Sequence, residues 1–97
     1  ELAYADNPNH PDIARSLFNI GLVYYKKDDT NNALEYFEKS YKIFEIAYAN
    51  NSYQPDIGNS LNYIGTILSK KGDFNKALDY FKKSYEVRKK AYADNPN

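Results

Sequence analysis

The chain contains no cysteine, no tryptophan and no methionine among its 97 residues. Without cysteine it has neither a disulfide framework nor thiol chemistry, and its redox compartment stays open. Basic and acidic residues number 13 each, which leaves a formal net charge of zero. A chain with no basic excess lacks the general attraction to phosphate backbones on which nucleic-acid binding depends. Its apolar runs are short, so we expect no membrane span and no secretory signal.

The sequence repeats itself with a period of 44 residues, and aligning 10–53 with 54–97 without a gap gives 22 identities. The segment LFNIGLVY at 17–24, for example, returns as LNYIGTIL at 61–68. A fixed period of this length is typical of stacked repeats, in which each unit buries its apolar face against its neighbours. We therefore expect a single repeat domain over 1–97, with 1–9 as the tail of a preceding repeat, 10–53 as repeat 1 and 54–97 as repeat 2.

Apolar residues in each repeat recur at the spacing of an α-helix, and nothing alternates with period two. Pro11 suits the first position of a helix and Asp29 suits an N-cap. A short turn between two helices of one repeat makes an antiparallel hairpin. The pattern predicts helices over 12–27, 30–49, 56–71 and 74–92. The predicted packing positions in repeat 1 are Ile13, Leu17, Ile20, Gly21, Tyr24, Ala33, Phe37, Ser40, Tyr41, Phe44 and Tyr48.

These residues resemble the tetratricopeptide repeat family, whose pattern is L-G-x2-Y followed by A-x3-F. Both repeats also have a small residue three positions after the phenylalanine, and repeat 2 has the glycine-containing turn. The matching residues are Ile20, Gly21, Tyr24, Ala33, Phe37 and Ser40 in repeat 1, and Ile64, Gly65, Gly72, Ala77, Phe81 and Ser84 in repeat 2.

The chain departs from the family pattern at three places. Leu17 and Leu61 stand where the family has an early Trp, and Leu68 replaces its Tyr in repeat 2. The closing Pro of the family is Glu45 in repeat 1 and Lys89 in repeat 2. Because a Pro would end the second helix, its absence lets that helix run beyond the ordinary repeat of about 34 residues. The HPDIA opening and the long second helix resemble the kinesin-light-chain-like subgroup with longer repeats.

The resemblance implies an all-α fold of two antiparallel helical hairpins stacked as a right-handed α-solenoid. In this family the first helix of each unit lines the concave surface, and ligand peptides lie along it. The resemblance therefore implies a non-catalytic, cytoplasmic scaffold for protein–protein interaction. Its expected partner is a peptide or an extended protein segment bound on the concave face.

Positions on the first helices that differ between the two repeats form one stripe, whereas packing positions such as Ile13 and Ile57 are kept. Two copies that keep their scaffold and vary one stripe indicate a ligand surface. Apolar side chains on it offer contact area, and asparagines offer both a donor and an acceptor. The candidate peptide-binding residues are Arg15, Phe18, Asn19, Leu22, Tyr25 and Lys26 in repeat 1, and Asn59, Asn62, Tyr63, Thr66, Ser69 and Lys70 in repeat 2.

Interpretations of the stripe that involve no ligand stay open. A solvent-facing surface that drifts between repeats would give the same pattern, although exposed Phe18, Leu22 and Tyr25 together favour an interaction site. Lys26 and Lys70 also suit the C-terminal ends of their helices without any ligand.

No catalytic or metal-binding constellation is evident in the sequence. His10 is the only histidine and stands in a loop, with no second histidine or cysteine to form a metal site or triad. Asp12, Asp28 and Asp29 suit a first helical turn and a loop, and neither repeat supplies a nucleophile together with a base. We expect no enzyme, no cofactor, no metal site, and neither a nucleic-acid nor a membrane partner.

The two ends of a short repeat array suggest a second function. A first helix without a preceding neighbour and a last helix without a following one leave apolar surface open. Arg88 and Lys90 make the last helix more polar than its counterpart, but Tyr85, Val87 and Tyr92 remain. The alternative is therefore a structural building block that forms a homo-oligomer by stacking end to end or by exchanging helices.

Overall fold

The computed structural model describes residues 7–51 and 54–93. Within these ranges it has no strand, and its four α-helices are α1 (Pro11–Lys26), α2 (Thr30–Ala47), α3 (Pro55–Lys70) and α4 (Phe74–Ala93). The all-α prediction is confirmed, and the predicted helix ends agree to within about two residues. The predicted repeat tail at 1–9 lies mostly outside the described residues.

The chain divides into two compact units, Glu1–Ala49 and Asn50–Asn97. In the first unit, α1 and α2 pack as an antiparallel hairpin. The hydroxyl of Ser40 on α2 reaches Ala14 near the start of α1, whereas the ring of Tyr36 stacks on Tyr24 near its end, with ring centroids 5.6 Å apart. Residue numbers therefore fall along α2 as they rise along α1. The second unit pairs α3 with α4 in the same way.

Phe37 lies at the centre of the first hairpin and is fully buried. Its ring packs against Phe18, with ring centroids 5.1 Å apart. Gly21 makes room for it, because a Cβ at this position would lie 2.8 Å from Cδ1 and Cε1 of the ring. The second hairpin repeats the arrangement, since a Cβ on Gly65 would lie 2.9 Å from Cε1 of Phe81. A glycine inside a helix costs about 1 kcal/mol relative to alanine. In these two helices the absence of a Cβ allows an aromatic ring to approach the helix axis.

The two hairpin turns share one backbone conformation but use different residues. Asp28 has φ +66° and its counterpart Gly72 has φ +87°, a region that glycine enters with less strain.

Asp29 caps α2 as predicted, because its side chain accepts a hydrogen bond from the backbone N–H of Asn32 at 3.3 Å. The side-chain amide and the backbone N–H of Asn32 hold the pKa of Asp29 below its ordinary value. Its contribution to stability is therefore present at neutral pH and is lost as the pH falls through the folded-state pKa.

The cap of α1 was not predicted from the sequence. His10 accepts a hydrogen bond at Nδ1 from the backbone N–H of Asp12 at 3.0 Å, while Pro11 occupies the first helical position as predicted. Gln54, at the corresponding position before α3, makes no capping hydrogen bond through its side chain. The two repeats thus share the helix start but not the cap.

Ile20 is the clearest correction to the predicted core. It was placed among the packing positions, but its side chain is 41% exposed. The α2 helix packs against the side of α1 that carries Ala14, Phe18 and Gly21. Ile20 is on a different side of α1. The prediction for α2 was better: Ala33, Phe37, Ser40 and Phe44 are buried, and Tyr41 and Tyr48 are half-buried.

Each hairpin contains one buried hydroxyl that joins its two helices. Ser40 donates to the carbonyl oxygen of Ala14 at 2.8 Å, and Ser84 donates to the carbonyl oxygen of Gly58 at 2.9 Å. Both serines are buried. The sequence indicated only that a small residue belongs at this position, whereas the contact uses the hydroxyl itself.

Ser40→Ala is expected to lower the free energy of unfolding by about 1 kcal/mol, the usual contribution of one intramolecular hydrogen bond. Ser16→Ala is the matched control, because Ser16 lies on α1 and is exposed; that change should be neutral or slightly stabilising. The measurement is urea unfolding followed by helical circular dichroism. Equal stabilities for the two variants would show that the buried hydroxyl does not contribute.

Candidate functional site

The six candidate residues of α1, which we name the α1 stripe, run along the helix beside the surface packed on α2. The apolar members are less exposed than the sequence suggested, because they border α2. Arg15, Asn19 and Lys26 are exposed, and Phe18, Leu22 and Tyr25 are half-buried. The stripe is therefore an apolar strip with polar edges.

Contacts within the first unit hold two members of the α1 stripe in place. Phe18 packs on the buried ring of Phe37. Arg15 donates to Oδ1 of Asp12 at 2.6 Å and to the hydroxyl of Tyr48 at 3.0 Å. Side chains that are already ordered lose less conformational entropy when a partner binds.

The six candidate residues of α3, the α3 stripe, are more polar. Asn59 accepts a hydrogen bond from Nη2 of Arg88 at 2.8 Å. The hydroxyl of Thr66 donates to the carbonyl oxygen of Asn62 at 2.9 Å, within the helix itself. The side chains of Asn59 and Lys70 are exposed, and those of Asn62, Tyr63, Thr66 and Ser69 are half-buried. The two stripes thus occupy equivalent positions with different chemistry.

A groove of about 570 Å³ lies in the second unit, beside α4. The sequence analysis did not predict it, although Tyr85, Arg88 and Tyr92 follow one another at i, i+3 and i+7, which puts them on one helical face. The groove joins one residue of the α3 stripe to aromatic and basic residues of α4. Its principal lining residues are Asn62, Phe81, Tyr85, Arg88, Lys89 and Tyr92.

Large apolar side chains are also exposed outside the stripes. On α1, Val23 is 58% exposed and lies near exposed Ile20; we name this pair the α1 outer face. On α4, Phe74, Leu78, Tyr85 and Tyr92 are exposed and fall on one line along the helix; we name these four the α4 face. Contiguous exposed apolar surface usually marks an interaction site.

The described residues offer little for other kinds of chemistry. Within 7–51 and 54–93, no group of three or more His, Asp or Glu side chains is placed to hold a metal ion. None of the four helices in the described part combines the length and the apolar character needed to cross a lipid bilayer. His10, the only histidine, is used as the cap of α1.

Family models cover most of the chain. Residues 2–46 match a model described as Tetratricopeptide repeat, and residues 58–97 match a second model of the same description. The chain belongs to the tetratricopeptide repeat family. Such repeats generally mediate protein–protein interactions and are generally non-catalytic. No curated protein matches the sequence.

Proposed function

We propose that this tetratricopeptide repeat chain is a non-catalytic scaffold that binds a peptide or an extended protein segment along its first helices. The α1 stripe carries the proposal. It combines half-buried Phe18, Leu22 and Tyr25 with exposed polar residues at its edges. This is the usual composition of a peptide site, in which apolar contact supplies affinity and a few polar groups fix orientation.

The polar residues suit a partner whose backbone is extended. Asn19 is exposed beside the apolar strip, and its amide offers a donor and an acceptor to the unpaired backbone groups of such a segment. A second asparagine, Asn62 on α3, is the counterpart of Phe18 and also lines the groove beside α4. Because Arg15 is fixed by Asp12 and Tyr48, its role is to shape one edge of the stripe.

Leu22→Ser is expected to weaken peptide binding by about tenfold or more, because it removes apolar contact at the middle of the stripe. Val23→Ser is the matched control: it changes the next residue of the same helix, which lies on the α1 outer face. The probe is a peptide selected on the wild-type chain from a random-peptide display library. Affinity is measured by fluorescence anisotropy, with circular dichroism to confirm that both variants are helical.

Two results would contradict the proposal. The first is a selection that enriches no peptide. The second is a selected peptide whose affinity survives Leu22→Ser but is lost with Val23→Ser, which would move the site from the α1 stripe to the α1 outer face.

The second candidate function is self-association through the exposed apolar faces of α1 and α4. The observation that favours it is the exposure of Ile20 and Val23 on α1 together with Leu78 and Tyr85 on α4. Sedimentation equilibrium over a wide concentration range tests it, since an average mass that stays at the monomer value would exclude this function.

Three narrower expectations accompany the proposal. We propose that the chain is close to the kinesin-light-chain-like subgroup, on the evidence of its 44-residue period and the HPDIA opening. We also propose a cytoplasmic location, and, from the repeat period, a single repeat domain over 1–97.

A further inference from the structure

The cap of α1 uses the single histidine of the chain in its neutral form. Nδ1 of His10 accepts a hydrogen bond from the backbone N–H of Asp12 at 3.0 Å, and only an unprotonated ring nitrogen can accept one. The ring proton of neutral His10 must therefore lie on Nε2. Protonation of Nδ1 turns this acceptor into a donor, and two donors cannot form a hydrogen bond with each other.

The charged and polar groups around His10 come from both helices of the first hairpin. On α1, Oδ2 of Asp12 lies 3.9 Å from Nδ1 of His10, and Oδ1 of the same carboxylate accepts from Nη1 of Arg15 at 2.6 Å. From α2, the hydroxyl of Tyr48 accepts from Nη2 of Arg15 at 3.0 Å. The Asp12 carboxylate can thus receive a protonated His10 on its second oxygen while Arg15 occupies the first.

Protonation of His10 has opposing effects on the first turn of α1. It removes the capping bond, and it places a positive charge at a helix N-terminus, where the partial positive charge of the backbone N–H groups opposes it. The ion pair with Asp12 acts in the other direction. However, the side chains of His10 and Asp12 are 35% and 47% exposed, and ion pairs with this exposure to solvent contribute little. The loss of the cap should therefore prevail.

The second hairpin provides an internal comparison. Gln54 stands at the position of His10, and its side chain makes no capping hydrogen bond. The backbone bond of the first turn is the same in both hairpins: Ile13 donates to the carbonyl oxygen of His10, and Ile57 donates to that of Gln54, each at 3.0 Å. The two helices therefore begin alike in their backbone and differ in the titratable cap.

We propose that His10 is a pH-sensitive cap, which holds the first turn of α1 at neutral pH and releases it when the imidazole is protonated. His10 is the only histidine, and the chain has no cysteine, so no other side chain with its usual pKa changes its charge between about pH 5 and pH 8. Arg15 shares the Asp12 carboxylate and belongs to the α1 stripe. The switch thus acts at one edge of the candidate peptide site.

The test compares the wild type with two variants of the full chain at about pH 7.5 and about pH 5.5, on either side of the usual titration of histidine. His10→Gln installs the residue of the second hairpin and removes the cap, whereas His10→Ser keeps a capping oxygen that does not titrate. Nuclear magnetic resonance measures how fast the Asp12 amide hydrogen exchanges with solvent. The Asp56 amide, its counterpart on α3, is the reference for the direct effect of pH on exchange.

In the wild type, the exchange rate of the Asp12 amide relative to that of Asp56 should rise by about fivefold at the lower pH, the change expected when one cap is lost. His10→Ser should give a low ratio at both pH values, and His10→Gln a high ratio at both. A wild-type ratio that does not change with pH, or one that changes equally in His10→Gln, would overturn the proposal.

The nitrogen chemical shifts of the imidazole provide a second measurement that does not depend on exchange. At neutral pH we expect a proton on Nε2 and none on Nδ1. The opposite tautomer would mean that Nδ1 does not accept from the Asp12 amide, and the proposal would then be wrong. Neither measurement uses a peptide, so the result for the cap is independent of whether the α1 stripe binds one.

Discussion

Phe37→Ala is expected to lower the free energy of unfolding by about 3–5 kcal/mol, the range found when a buried phenylalanine is truncated. The ring is fully buried, meets Phe18, and fills the space that Gly21 leaves open. Its loss leaves a cavity between α1 and α2, because helix backbones close only partly around a missing ring. A loss of this size is comparable with the whole stability of many small domains. We therefore expect the first hairpin to lose its cooperative thermal transition.

Phe74→Ala is the matched control. Phe74 is the same residue type but is 67% exposed at the start of α4, so its truncation should change stability by well under about 1 kcal/mol. Thermal and urea unfolding followed by circular dichroism compare the two variants. Similar losses would contradict the account, because they would mean that the Phe37 ring does not hold the first hairpin together.

Gly65→Ala is expected to destabilise the second hairpin by about 1–3 kcal/mol, even though alanine favours a helix over glycine. A Cβ at this position would lie 2.9 Å from Cε1 of Phe81 and 3.2 Å from the carbonyl oxygen of Ala77. The ring and the backbone of α4 would both have to move. Steric cost should therefore exceed the propensity gain of about 1 kcal/mol.

Gly58→Ala provides the control in the same helix. A Cβ there would lie 3.1 Å from Cγ of Arg88, a flexible side chain that can shift to accommodate it. The equivalent residue of the first hairpin is already an alanine, the fully buried Ala14. We expect Gly58→Ala to be neutral or to raise the unfolding midpoint, while Gly65→Ala lowers it. If both variants were more stable than the wild type, the close approach of Phe81 would be excluded.

Much of the fold could be predicted because its determinants are local. Pro11 starts α1, the Asp29 side chain caps α2, and Gly72 adopts the positive φ of the second turn. Each of these effects depends on residues only a few positions away in the chain. The buried residues of α2 followed from helical periodicity for the same reason, since one face of α2 meets α1 along its length.

The candidate site was harder to predict because exposure depends on tertiary packing. Periodicity placed Ile20 in the core, but α2 covers a different side of α1. It also placed Phe18, Leu22 and Tyr25 on an exposed stripe, whereas all three are half-buried beside α2. The groove beside α4 combines two helices, and no periodicity within one helix reveals such a juxtaposition.

The two proposed activities use different sides of α1. Leu22 belongs to the α1 stripe, whereas Val23 belongs to the α1 outer face. Peptide binding and self-association should therefore respond to different substitutions. This separation allows either function to fail without affecting the evidence for the other.

The measurement that tests the central claim most directly is nuclear magnetic resonance mapping of the selected peptide on the isotope-labelled chain. The account predicts that backbone amide shifts change along the α1 stripe, at residues such as Phe18, Asn19 and Leu22. Changes confined to Ile20, Val23 or the α4 face would contradict it. They would show that the α1 outer face or the α4 face, and not the α1 stripe, forms the binding surface.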